Sequence, residues 1–178
     1  MSSRLEKIRT EVTASIAAKQ ALLADAGLLA QIDRLSQTCL QALHGGGKII
    51  FAGNGGSFAD AQHLSAEFVS RFMFDRSPLP SLALGTNNSA ISAIGNDYSY
   101  EQVFARELEA MVRPGDVFIG ISTSGKSPNV VAAVSKAREL GITAVCLTGR
   151  SGGKLAARCA NACARRLTRR HASRSATS

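Results

Sequence analysis

Apolar residues between positions 3 and 44 recur every three to four residues, which predicts a helical segment stopped by Gly45-Gly46-Gly47. Residues 48–52, Lys-Ile-Ile-Phe-Ala, form a short apolar run with β-branched members between glycines, the pattern of a buried strand. The segment Gly53-Asn54-Gly55-Gly56-Ser57 then turns the chain into a helix expected to run to about Phe74. Further strands are predicted at 81–84, 116–121 and 142–147, and helices at 87–95, 100–112 and 127–140, with Asn96 and Asp97 in the loop between two helices. Strands that alternate with helices through short loops predict an α/β fold. The expected architecture is a three-layer sandwich: a central parallel sheet flanked by helices and preceded by N-terminal helices. In such sheets ligands sit outside the carboxyl ends of the strands. The Gly- and Ser-rich segments fall at those ends.

A length of 178 residues fits one domain, and 45% hydrophobic content is enough for a core. Aromatic residues make up only 5% and Trp is absent, which argues against a base-stacking surface. The net charge of +8 is unevenly spread. From Arg150 onward there are eight basic residues and no acid, so positions 1–149 hold 13 of each sign. The body is neutral and the excess lies in the tail, a pattern that fits a solvated terminus better than a nucleic-acid surface. The expected organisation is a domain over 1–153 and an atypical basic tail over 154–178. No apolar run is long enough for a bilayer, and the N-terminus lacks a signal-peptide core. The expectation is a cytoplasmic chain with no nucleic-acid or membrane partner. Cys39, Cys146, Cys159 and Cys163 show no zinc-type spacing and read as reduced thiols.

Two segments carry most of the candidate chemistry. In Ile121-Ser-Thr-Ser-Gly-Lys-Ser-Pro128 a strand ends, hydroxyls follow, a glycine permits a tight turn, and Ser127-Pro128 suits the cap and first position of a helix. Hydroxyls and backbone N–H groups at the positive end of a helix suit a phosphate. A plain Ser/Thr-rich turn is the competing reading of this segment alone. Residues 120–127 also match the P-loop pattern G-x-x-x-x-G-K-S, but no Asp or Glu occurs after Glu139 to serve as the Mg²⁺ partner. In the second segment, Gly53–Arg71, Ser57 suits a helix cap. Ala61, Leu64, Phe68 and Phe72 form an apolar stripe beside a polar ridge of Asp60, His63, Glu67 and Arg71. His63 and Glu67, four residues apart, can converge on one metal ion or substrate, although such pairs are more often solvated.

Taken in order, AGNGGSFADAQHLSAEFVSRF, SAIGNDYSYEQVFARELEAMVRPGDV and ISTSGKSPNVVAA resemble the sugar-isomerase (SIS) domain, and more closely the phosphoheptose isomerases. The likeness is collinear to about Gly153. It implies aldose–ketose isomerisation between sedoheptulose 7-phosphate and D-glycero-D-manno-heptose 7-phosphate, in bacterial nucleotide-heptose and lipopolysaccharide synthesis. By the same resemblance Ser122, Thr123, Ser124 and Ser127 hold the phosphate. Asn54, Gly55, Gly56, Asn96 and Asp97 line the substrate. Glu67 matches the catalytic carboxylate, and His63 with Glu67 matches half of a zinc site. The family pattern also implies a homotetramer with active sites at subunit interfaces.

Beyond Cys163 the chain departs from that family. No Gln lies beyond Gln102, and His171 sits in an Arg-rich run without an apolar stripe, so the second half of the zinc site has no match. A change of reading frame fits this acid-free composition. The missing acid partner predicts weak turnover, because a general acid is typically worth about 10²–10⁴-fold. The alternative from another class is a non-catalytic SIS-type module that binds a sugar phosphate or a protein.

Overall fold

A computed structural model describes residues 3–149, 151–159 and the strand 163–165. Expectations about the departing tail, His171 included, lie outside the described residues.

Two helices precede the sheet, α1 (Ser3–Ala24) and α2 (Ala26–His44), bent by 79° at Asp25. Asp25 ends one helix and starts the other, because its Oδ1 accepts the Leu28 N–H at 2.9 Å. The chain then runs β1 (Ile49–Gly53), α3 (Gly56–Val69), β2 (Ser81–Ala83), α4 (Asn88–Asp97), a 3-10 turn (Tyr100–Gln102) and α5 (Val103–Met111). It continues with β3 (Val117–Ser122), α6 (Pro128–Glu139), β4 (Thr143–Thr148), α7 (Gly153–Ala156) and β5 (Cys163–Arg165). All strand pairings are parallel, in the order β2-β1-β3-β4-β5.

Successive strand residues point to opposite faces, so the sheet divides the core in two. Ile49, Phe51, Val117, Ile119, Ile121 and Val145 pack with Ala61 and Phe68 of α3 and with Leu35, Cys39 and Leu43 of α2. Ile50, Ala52, Phe118 and Cys146 pack with Phe104 and Leu108 of α5 and with Val130 and Val134 of α6. Helices therefore cover both faces, as the fully buried strands require.

The elements differ from the sequence reading in four ways. The helix after the glycine turn ends at Val69 rather than near Phe74. The Arg76 guanidinium donates to the carbonyls of Glu67 at 2.7 Å and Phe68 at 2.9 Å, and so caps that end from outside the helix. Phe72 and Leu64 of the expected apolar stripe are exposed, while Ser65 is buried. Asn96 and Asp97 close α4 instead of lying in a loop. Finally, the sheet gains β5, and Leu155 and Cys159 are buried in the core, so packing continues beyond Gly153. Cys146 and Cys159 are joined by a disulfide, which corrects the expectation of reduced thiols for this pair.

Candidate active site

From β1 the chain moves outward to β2 on one side, and from β3 to β4 and β5 on the other, so strand order reverses between β1 and β3. At such a reversal the crossover helices leave to opposite faces and open a crevice at the carboxyl ends of the two strands. Gly53 ends β1 and Ser122 ends β3, and they lie one register step apart, Gly53 opposite Ile121. The two chemistry-bearing segments thus start from neighbouring strand ends.

The first turn of α3 folds directly over β1. A Cβ on Gly53 would lie 2.5 Å from the Ser57 carbonyl oxygen, so the position accepts no side chain. Gly55 supplies the cap position of α3, with φ +54, and no side chain caps the helix; the expected cap by Ser57 is not formed. Asn54 is half-buried, and Gly55 and Gly56 are exposed.

After β3, Ser122 is buried and its Oγ lies 2.9 Å from the Ser127 Oγ. That bond replaces the expected cap, since Ser127 makes no side-chain bond to the first turn of α6; Pro128 does occupy the first turn. Thr123 and Ser124 are exposed, and Ser124 Oγ accepts the Lys126 N–H at 3.2 Å. The loop rests on the segment after β4: Gly149 N–H donates to the Thr123 carbonyl at 3.0 Å and Leu155 N–H to the Gly125 carbonyl at 3.1 Å. A side chain on Gly125 (φ +63) would collide with the Gly152 carbonyl. Hydroxyls, an exposed Lys126 and the positive end of a twelve-residue helix therefore share one rigid cup.

The two segments meet. Asn54 Nδ2 donates to Asn129 Oδ1 at 2.8 Å, and Asn129, in the first turn of α6, donates back to Asn54 Oδ1 at 2.9 Å. Tyr100, three residues past the Asn96-Asp97 pair, reaches Asn54 Oδ1 with its hydroxyl at 3.3 Å. A cavity of about 170 Å³ lies beside Asn54, lined among others by Gly55, Phe58, Asn88, Tyr100 and Phe104. Asn96 Nδ2 donates to Asp97 Oδ1 at 2.9 Å, and both residues are exposed. The sequence reading missed Asn129 and Tyr100. An amide directly after Ser127-Pro128 at a strand end was the available signal for the first.

His63 and Glu67 stand apart from this cup. Their side chains meet at 3.1 Å, with His63 75% exposed. Glu67 follows Gly56 by eleven residues on α3, about 16 Å along the axis at 1.5 Å per residue. The end of α3 lies near the start of the sheet, where Leu79 N–H meets the Phe68 carbonyl and Ile49 N–H meets the Pro80 carbonyl. One chain alone does not bring Glu67 to the hydroxyl loop. Arg71 lies beyond the end of α3, so the polar ridge stops at Glu67. A zinc site takes three or four protein ligands. His63 and Glu67 supply two, and among the described residues no three His, Cys, Asp or Glu gather for a metal. This donor set by itself does not fit the ion.

The SIS domain family matches residues 15–149. The phosphoheptose isomerase of Aneurinibacillus thermoaerophilus is 53% identical over 152 residues, 85% of this chain and 77% of that protein. The chain belongs to the phosphoheptose isomerase family.

The family's Burkholderia pseudomallei member is 51% identical over 154 residues, covering 84% of this chain and 78% of its own. Among solved structures, phosphoheptose isomerase GmhA from Neisseria gonorrhoeae superposes with a TM-score of 0.87 at 40% identity, over 96% of this chain and 89% of that one. A phosphoheptose isomerase from Francisella tularensis gives 0.86 at 33% identity with the same coverage. Residues 120–127 lie within the matched SIS domain, so their P-loop pattern is incidental. Among the described residues no single helix is long and apolar enough to cross a membrane.

Proposed function

We propose that this chain interconverts sedoheptulose 7-phosphate and D-glycero-D-manno-heptose 7-phosphate, in the cytoplasm, within nucleotide-heptose and lipopolysaccharide synthesis. The observation that carries the reading is the meeting of the glycine turn after β1 with the hydroxyl loop after β3, at the reversal point of the sheet. Ser122, Thr123, Ser124 and Ser127 hold the phosphate against the start of α6. Asn54, Gly55 and Gly56, with Asn96 and Asp97, bind the sugar.

Isomerisation moves a proton between adjacent carbons through an enediol, so a base must take the proton from one carbon and return it to the next. Glu67 has that role. Because it lies about 16 Å along α3 from the glycine turn, the Glu67 that serves a given cup belongs to a second copy of the chain. A surface for such a copy exists on α1, which buries no residue and exposes Leu5, Ile8, Val12 and Ile16 at helical spacing. A homotetramer, as the family pattern implies, satisfies both needs.

The test is an isomerase assay with calorimetric binding of sedoheptulose 7-phosphate. Glu67→Gln is expected to retain binding within severalfold and to lose at least about 10²-fold in kcat, the usual worth of a general base. Equal turnover by the two proteins would overturn the assignment. Turnover by the wild type is expected to be weak but measurable, since the acid partner has no match in this chain; binding without any turnover would favour the non-catalytic sugar-phosphate module.

A further inference from the structure

A carboxamide can be turned by half a revolution without changing its shape, so its donor and acceptor ends are assigned by neighbours with fixed roles. In the Asn54–Asn129 pair that neighbour is Val130. Its backbone N–H can only donate, and it reaches Asn129 Oδ1 at 3.0 Å. The oxygen of Asn129 is thereby fixed, and Asn54 must turn its nitrogen toward it, 2.8 Å away. The oxygen of Asn54 then faces Asn129 Nδ2 at 2.9 Å, and the Tyr100 hydroxyl donates to the same oxygen. Both lone pairs of Asn54 Oδ1 are occupied and one of its two N–H groups is spent. What the side chain retains for a ligand is a single N–H.

Asn129 is only 2% exposed, and its bonds form away from water, where neutral hydrogen bonds hold more firmly. It sits on α6 while Asn54 sits on the turn after β1, so the pair also fixes the distance between the hydroxyl loop and the glycine turn. We propose that Asn129 is a positioning residue that locks Asn54 as a pure hydrogen-bond donor toward an oxygen of the bound sugar phosphate. A carbonyl or enediolate oxygen, which only accepts, matches this contact. A group that must donate finds no acceptor there. The inference rests on the function proposed above and adds to it the polarity of one contact and the residue that sets it.

The experiment compares wild type, Asn54→Ala, Asn129→Ala and the double variant. Each is measured for binding of sedoheptulose 7-phosphate, binding of inorganic phosphate, kcat/KM and thermal midpoint. Asn129→Ala is expected to weaken sugar-phosphate binding and kcat/KM about tenfold, the equivalent of about 1.4 kcal/mol. The double variant should be no worse than Asn54→Ala alone, because Asn129 acts through Asn54. Inorganic phosphate, which needs only the hydroxyl loop, should bind all four within about twofold. Additive losses, or a parallel loss of phosphate affinity, would mean that Asn129 merely supports the loop and would overturn the proposal. Tyr100→Phe, at an exposed position, provides a second route if Asn129→Ala does not fold. Its severalfold loss should vanish in the Asn54→Ala background, and persistence there counts against the proposal. Asn54→Asp, which has acceptors and no N–H, should bind at least as poorly as Asn54→Ala; normal binding would refute the donor role. A wild type that binds neither ligand would instead sink the functional reading itself.

Discussion

Glu107 lies half-buried under the end of β2, where its Oε2 accepts the Gly85 N–H at 2.6 Å. Burial pushes its carboxyl pKa up, and the Gly85 N–H partly pulls it back. A carboxyl whose folded value is raised holds its proton more tightly in the folded state. Its stabilising contribution is complete below the unfolded value and is lost as pH rises through the folded one. Glu107→Gln keeps an acceptor for Gly85 and removes the ionisation. Its thermal midpoint should therefore gain on the wild type as pH rises above about 4, the ordinary range of a free glutamate, in the direction set by the linkage. A midpoint difference that does not change with pH would contradict this. At this scale the sequence was readable where a residue type has one use, as with Pro128 opening α6. It misled where a hydroxyl had a choice: Ser127 bonds Ser122 across the loop instead of capping its own helix. Asn129 escaped notice because its partner is 75 positions away.

Among the elements, β1 and β3 are held together at their starting ends by Asp116. This buried carboxylate accepts the Lys48 N–H at 2.9 Å and the Arg113 N–H at 2.7 Å, and pairs with the Lys48 ammonium. Asp116→Ala leaves those donors without their acceptor and should cost about 2–4 kcal/mol in urea unfolding. Asp116→Asn, which keeps an acceptor, should cost less. Equal stability of both variants and the wild type would show that the clip is not needed. The strand–helix alternation was legible because apolar period and glycine punctuation agree through the body of the chain. The end of α3 was not, because Phe72, Met73 and Phe74 prolong an apolar pattern that the structure leaves exposed. At that end the Arg76 guanidinium, nine residues along the chain, takes the Glu67 carbonyl, a contact that apolar periodicity does not register. β5 was missed for a different reason: its neighbours carry a basic composition that reads as solvated, while its pairing with β4 is a long-range fact.

At the scale of the whole molecule, the sequence placed the phosphate loop and the carboxylate in one list of site residues, and a single chain separates them. Spacing along the chain locates residues on elements, but it does not tell which copy supplies each element to a site. A site shared between copies is tested most directly by subunit complementation. Glu67→Gln keeps the cup and lacks the base; Ser124→Asp keeps the base and repels phosphate from the cup. Each alone should be nearly inactive. Unfolded together and refolded as mixed oligomers, the two should recover turnover of sedoheptulose 7-phosphate well above the sum of the separate proteins, because some sites then join an intact cup to an intact Glu67. Mixed oligomers that form and stay as inactive as their parents would contradict a shared site.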